Sequence, residues 1–132
     1  MKKTVLFLCI ENSNRSQMAE AFAKIYGGEK ITAYSAGSRP SGKINPKAIE
    51  AMQMTGYDLT AHQSKSAEAF RNIELDYVVT MGCGDECPFL AAFHREDWDI
   101  PDPKNLNMND FLEVRNMIEA KVKNLISKIT NG

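Results

Sequence analysis

Cysteine is scarce in this sequence: three residues, at positions 9, 83 and 87. So small and odd a set excludes the disulfide scaffold of a secreted miniprotein. In a reducing compartment such residues serve more often as nucleophiles, redox couples or metal ligands. Neither sign of charge is in excess. Sixteen Lys and Arg stand against 17 Asp and Glu, for a net charge of -1, which leaves no electrostatic case for nucleic acid or an anionic membrane. No apolar run approaches the roughly 20 residues of a membrane span. The Met1-Lys2-Lys3 start is basic, but no small-residue cleavage site follows the short apolar stretch behind it. These absences point to a cytoplasmic, soluble monomer. With 43% hydrophobic content over 132 residues, the chain suits one domain spanning 1–132, and no linker, repeat or low-complexity segment interrupts it.

What is present concentrates near the N-terminus. Val5 to Leu8 form a β-branched and aromatic-rich run without alternation, the pattern of a buried strand. From Ser16, the apolar residues Met18, Ala21, Phe22, Ile25 and Tyr26 fall at helical spacing until Gly27-Gly28. Cys9 therefore sits at the carboxyl end of a strand, and Ile10, Glu11, Asn12, Ser13 and Asn14 wrap into a helix opened by Arg15 and Ser16. The loop N–H groups and the positive end of the helix make a cradle for a tetrahedral oxyanion. Arg15 adds a planar fork of donors. The same field favours a thiolate at Cys9, and Ser16 is placed to donate a hydrogen bond to the sulfur. The competing reading is a buried strand-end cysteine beside a surface arginine. The strand before, the helix after and the Arg-Ser pair favour the nucleophile.

Further along, 30–35 reads as a second strand ending at Ala36-Gly37, followed by a loop over 38–43. Asn45-Pro46 is an N-cap and first-turn pair for a helix with Ile49 and Met52 inward, running to Gly56. Residues 57–66 read as a polar connector and 67–72 as a brief helix. A strand follows at 76–81, then an extended segment near Trp98. A long helix from about Asp110 carries Phe111, Val114, Ile118, Val122, Leu125 and Ile129 on one face. The methionines at 18, 52, 54, 81 and 117 read as core or near-core filling. Strand–helix alternation predicts a three-layer α/β/α sandwich around a central parallel sheet with right-handed crossovers. Ligands in such folds bind beyond the carboxyl ends of the strands, where Cys9, Cys83 and Asp102 are all expected.

Cys83 and Cys87 are separated by three residues and flanked by Gly82, Gly84 and Pro88. They fit a reversible disulfide, two small residues packing a turn, or, with His94, part of a metal site. The usual zinc pattern pairs two such knuckles and only one is present. Asp102, framed by Pro101 and Pro103, is held on a stiff segment and suits a proton donor to a leaving oxygen. His62 is given no role.

Taken together, Cys9 to Arg15, Ser16-Gln17-Met18-Ala19-Glu20, Tyr34-Ser35-Ala36-Gly37, the cysteines at 83 and 87, and Asp102-Pro103 resemble arsenate reductases of the low-molecular-weight protein tyrosine phosphatase fold, of the thioredoxin-coupled type. The first and last motifs are shared with the phosphatases, and the cysteine pair is what separates the reductases. The resemblance implies that Cys9 attacks arsenate while Asp102 protonates the departing oxygen. It implies that Cys83 and then Cys87 resolve the adduct by successive disulfides, the last reduced by thioredoxin, with no cofactor and no metal.

Departures from the family pattern are equally plain. Glu11 stands where many relatives carry glycine, and it must turn its carboxylate outward to spare the substrate. Asn14 replaces a loop cysteine found in some relatives. The pair at 83 and 87 is closer than in well-known members. Asn12, Glu20 and Ser35 match a potassium site of some relatives, but Lys65 replaces its aspartate; a lysine ammonium there could replace the ion, and no potassium is assigned. Two other readings stand beside the reductase. One is a phosphatase using Cys9, Arg15 and Asp102, weakened because Lys104-Asn105 follow the Asp-Pro pair instead of tyrosines. The other is a non-enzymatic thiol or metalloid-binding module, for which the Arg15 cradle has no use.

Overall fold

Four strands hydrogen-bond in the order β2-β1-β3-β4, and every pairing is parallel. They are β1 (Lys3–Cys9), β2 (Ile31–Gly37), β3 (Tyr77–Thr80) and β4 (His94–Asp97). The computed structural model describes residues 2–82 and 90–131, so Cys83 and Cys87, with the disulfide or metal-site readings placed on them, lie outside the described residues. The chain pairs β1 first with β2 on one side and then with β3 on the other. Between those two moves lies the crevice where open parallel sheets bind ligands. Cys9 ends β1 at that crevice, level with Gly37 of β2.

Side chains of β1 alternate between two cores, as the period of a strand requires. Val5, Phe7 and Cys9 pack with α1 (Arg15–Gly27), α2 (Pro46–Gln53) and α3 (Met108–Asn131), through Met18, Phe22, Met52, Phe111, Ile118 and Val122. Leu6 and Leu8 face the opposite side with Ala36, Phe70, Leu75, Val78 and Leu90. Part of that cover is a 3-10 turn at Ala67–Phe70, shorter than the helix expected over 67–72. The architecture is α/β with a central parallel sheet.

Local chemistry explains the boundaries. The Asn45 side chain accepts from the Lys47 N–H at 2.9 Å with Pro46 in the first turn, a cap that contributes about 1 kcal/mol. The helix stops at Gln53, short of Gly56. Ala48, Ala51 and Met52 form its buried face, while Ile49 is half-buried. The expectation for the methionines holds for Met18, Met52 and Met81, all fully buried. It fails for Met54 and Met117, which are 56% and 41% exposed. Met54 caps the C-terminus of α2, and Met117 precedes the inward Ile118 on α3, so helical geometry turns both outward. Among the described residues, no helix is long and apolar enough to cross a membrane.

Candidate active site

A cavity of about 150 Å³ opens at the end of β1, lined by Cys9, Ile10, Glu11, Ser13, Asn14 and Arg15 of the loop, and by Arg39 and Asp102 from outside it. The loop is shaped by what its carbonyls do. Those of Cys9, Ile10, Glu11 and Ser13 accept from the N–H groups of Ser38, Arg39, Ser41 and Asn45, at 2.8 to 3.2 Å. The Asn12 carbonyl accepts from Gln17 Nε2 at 3.0 Å, and that of Asn14 from the Met18 N–H at 3.0 Å. A trans peptide points its N–H opposite to its C=O. Tying the carbonyls outward therefore aims the N–H groups into the cavity. The helix behind adds its own free donors: α1 begins without a side-chain cap and has no acidic residue in its first turn.

Close backbone approach fixes this arrangement at Gly37. A Cβ there would lie 2.5 Å from the Ile10 carbonyl oxygen and 2.9 Å from the Asn12 nitrogen. Asn12 itself adopts a left-handed backbone, φ 52, a conformation that asparagine tolerates better than most residues.

Hydrogen-bond directions beneath the loop follow from groups that have no choice. The Lys65 N–H donates to Asn12 Oδ1 at 2.7 Å, so the Asn12 amide nitrogen is the end that meets Ser16 Oγ, at 2.8 Å. Ser16 must then direct its own proton elsewhere, and Cys9 Sγ lies 2.8 Å away. When the sulfur is a thiolate it has no proton to give, so Ser16 is then the donor across this contact. Asn12 and Ser16 are fully buried and lie behind the cavity wall, contributing their side chains to this chain of bonds.

The same logic runs one layer deeper. Gln17 Nε2 faces the Gln63 carbonyl at 2.8 Å as well as Asn12 Oδ1 at 3.0 Å, so Gln17 Oε1 accepts from His62 Nδ1 at 2.9 Å. His62 Nε2 meets the Tyr57 hydroxyl at 2.6 Å. Burial pushes the His62 imidazolium down from its usual range, opposed by the Glu20 carboxylate and aided by Lys24 and Lys65. A neutral imidazole with its proton on Nδ1 fits both neighbours.

Arg15 is nearly buried, at 5% exposure. Its Nη1 donates to the Ile100 carbonyl at 3.1 Å, and its Nη2 lies 3.9 Å from Asp102 Oδ2. The segment carrying Asp102 is anchored by Trp98, whose ring packs 5.9 Å from that of Phe7 and whose backbone N–H donates to the Thr80 carbonyl at 2.8 Å. Ile100, also buried, fixes the next step. Asp102 Oδ1 accepts from the Lys104 N–H at 3.0 Å. The Asp102 carboxyl is half exposed, at the mouth of the cavity. Glu11 turns outward and pairs with Lys104 Nζ at 2.8 Å.

At Glu20, a residue matching that ion site, the cation is Lys24 rather than Lys65. Glu20 accepts from Ser35 Oγ at 2.5 Å, but its cationic partner at 2.7 Å is Lys24, one helical turn along α1. Lys65 instead lies over the Phe70 ring, 5.9 Å from its centroid. The i,i+4 spacing delivers Lys24 to Glu20, whereas Lys65 contributes its backbone N–H to Asn12 and projects its side chain toward the opposite core. Among the described residues no cluster of His, Cys, Asp and Glu suits a metal.

Arg39, Gln17, His62 and Lys104 were not visible as site residues in the sequence. Gln17 and His62 act through amide and ring atoms without a motif, and the 57–66 connector contributes mainly backbone groups. Only the Asn45-Pro46 cap gave 38–45 a defined feature in the sequence.

The profile of the family described as low molecular weight phosphotyrosine protein phosphatase matches residues 4–132. A glutaredoxin arsenate reductase from Synechocystis is 38% identical over 131 residues, covering 97% of this chain and 99% of its own. A solved arsenate reductase in the phosphate-binding state superposes with a TM-score of 0.87 at 37% identity, over 96% of this chain and 98% of that one. A thioredoxin-dependent arsenate reductase from Corynebacterium glutamicum gives 0.81 at 31% identity, over 98% of this chain and 62% of that one. The chain therefore belongs to the low molecular weight phosphotyrosine protein phosphatase family, and within it resembles the arsenate reductases.

Proposed function

We propose that the protein reduces arsenate to arsenite. The observation that carries this reading is the Cys9 sulfur at the base of an oxyanion cradle, with Ser16 Oγ 2.8 Å away. The chain's similarity to arsenate reductases over nearly its full length supports it.

In this mechanism the loop N–H groups and Arg15 hold arsenate, and the Cys9 thiolate attacks arsenic. An oxygen leaves as water with a proton from Asp102, which stands 3.9 Å from Arg15 at the mouth. The Cys83 thiolate then attacks Cys9 Sγ. The As–S bond breaks, its electron pair stays on arsenic, and arsenite leaves behind a Cys9–Cys83 disulfide. Cys87 attacks Cys83 and frees Cys9. The Cys83–Cys87 disulfide passes to an external dithiol, which we assign to thioredoxin because the chain carries both resolving cysteines. Thioredoxin's potential of about -270 mV suits that donor role. The two electrons come from thiols, so the scheme calls for no cofactor. The reading places the protein in the cytoplasm as a single-domain monomer.

A second reading is a phosphatase that uses Cys9, Arg15 and Asp102 alone, favoured by the gathering of all three around one cavity. The two separate in a coupled assay with arsenate, thioredoxin, thioredoxin reductase and NADPH. Turnover that collapses in Cys83→Ser and in Cys87→Ser supports the reductase. Indifference to both substitutions, with aryl phosphate hydrolysis dependent on Cys9, supports the phosphatase.

A further inference from the structure

Glu11 is the one acidic residue inside the oxyanion loop (9–16), and it lines the cavity. A carboxylate there opposes any incoming anion unless it is neutralised. Its partner comes from the opposite wall. Lys104 Nζ lies 2.8 Å from Glu11 Oε2, and the Lys104 backbone N–H donates to Asp102 Oδ1 at 3.0 Å. One residue thus contacts both carboxylates at the mouth, and the contact spans 93 positions of sequence, joining the loop after β1 to the loop before α3. The Glu11 hydrogen bond and charge hold the Lys104 ammonium above its ordinary range.

An esterified oxyanion seated on Cys9 must direct its substituent out through this mouth. The side chains there are charged: Glu11, Arg39 and Asp102 line it, with Lys104 laid across from one wall to the other. Among the described lining residues no aromatic ring receives an aryl group. We propose that the Glu11–Lys104 ion pair is a selectivity element, holding the Glu11 carboxylate off the bound anion and bridging the mouth, so that the pocket favours a bare tetrahedral oxyanion over a monoester. This deepens the reading that arsenate enters at Cys9 and rests on it.

The test reads binding without turnover. Iodoacetamide alkylation of the Cys9 peptide is followed by mass spectrometry, with protection titrated by arsenate, by inorganic phosphate and by phenyl phosphate. Wild type is compared with Lys104→Ala and with the double variant Glu11→Gln/Lys104→Ala. In Lys104→Ala the unmasked Glu11 weakens protection by both inorganic anions about fivefold, the size of a charge repulsion across solvent-exposed space. The double variant restores that protection and tightens phenyl phosphate relative to phosphate about fivefold. The proposal is overturned if Lys104→Ala leaves inorganic protection unchanged, if Glu11→Gln fails to restore it, or if the ester-to-oxyanion ratio is the same in all three proteins. Failure of the reductase reading looks different: the anions protect Cys9 in this pattern, yet no arsenite forms from arsenate.

Discussion

Asn12 donates from Nδ2 to Ser16 Oγ at 2.8 Å, and that bond determines where the serine proton goes. With its oxygen accepting from Asn12, Ser16 has its hydrogen free for a Cys9 thiolate, whose Sγ lies 2.8 Å away. Ser16→Ala removes the donor and leaves the buried sulfur without it. We expect Cys9 alkylation and arsenate turnover at neutral pH each to fall about tenfold, since one charge-assisted hydrogen bond is worth roughly 1.5–3 kcal/mol. Asn12→Ala should lower both rates by a smaller factor, because Ser16 keeps its hydroxyl but loses the Asn12 contact that orients it.

Gly82 follows β3 with a left-handed backbone, φ 83, and a Cβ there would lie 2.5 Å from Arg15 Nη1 and 3.0 Å from the Ile100 oxygen. Gly82→Ala therefore adds backbone strain and pushes the guanidinium out of its seat. The expected result is weaker arsenate protection of Cys9, by about tenfold or more, with the alkylation rate in the absence of anion little changed. Equal protection constants in variant and wild type would show that Arg15 does not depend on this gap.

Asp102→Asn keeps the Lys104 cap acceptor and removes the transferable proton. Turnover should drop about 100-fold, the usual contribution of general acid catalysis, while phosphate protection of Cys9 persists. Arg15→Lys is expected to do the reverse: an ammonium cannot reproduce the fork, so protection itself should be lost. Steady-state kinetics beside alkylation protection separates the two.

His62 gives the fold a pH dependence with a definite sign. Its folded pKa is lowered from 6.5, chiefly by burial, with Glu20 opposing and Lys24 and Lys65 reinforcing the shift. As the pH falls, the unfolded chain takes up this proton first. The stability tied to neutral His62 is thus complete above about pH 6.5 and is lost as the pH falls from there toward the lower folded value. Thermal melts between about pH 7 and 5 should show a steeper fall for wild type than for His62→Gln, whose amide does not titrate. Parallel melting curves would remove His62 as the cause.

The strand, loop and first helix were legible because they carry periodicity: a continuous apolar run, a break, then apolar residues at three and four. The same holds for α3 and for the Asn45-Pro46 cap. Asp102 was legible from its flanking prolines, which restrict backbone freedom before any packing is known. The 57–66 connector was not. It supports the loop through the Gln63 carbonyl, the Lys65 N–H and the Ser64 hydroxyl, and backbone groups are common to every residue type. Lys24 reaches Glu20 through helical spacing, which no family motif marks. Met54 and Met117 were misplaced because methionine is apolar but tolerated at the surface, and only the helix phase shows which way it faces.

The most direct measurement is a single turnover on fully reduced protein with stoichiometric arsenate and no external reductant, followed by acid quench and disulfide mapping. The account predicts one arsenite per protein, a Cys83–Cys87 disulfide and a free Cys9 thiol. Arsenite absent, with all three cysteines still reduced, would contradict it.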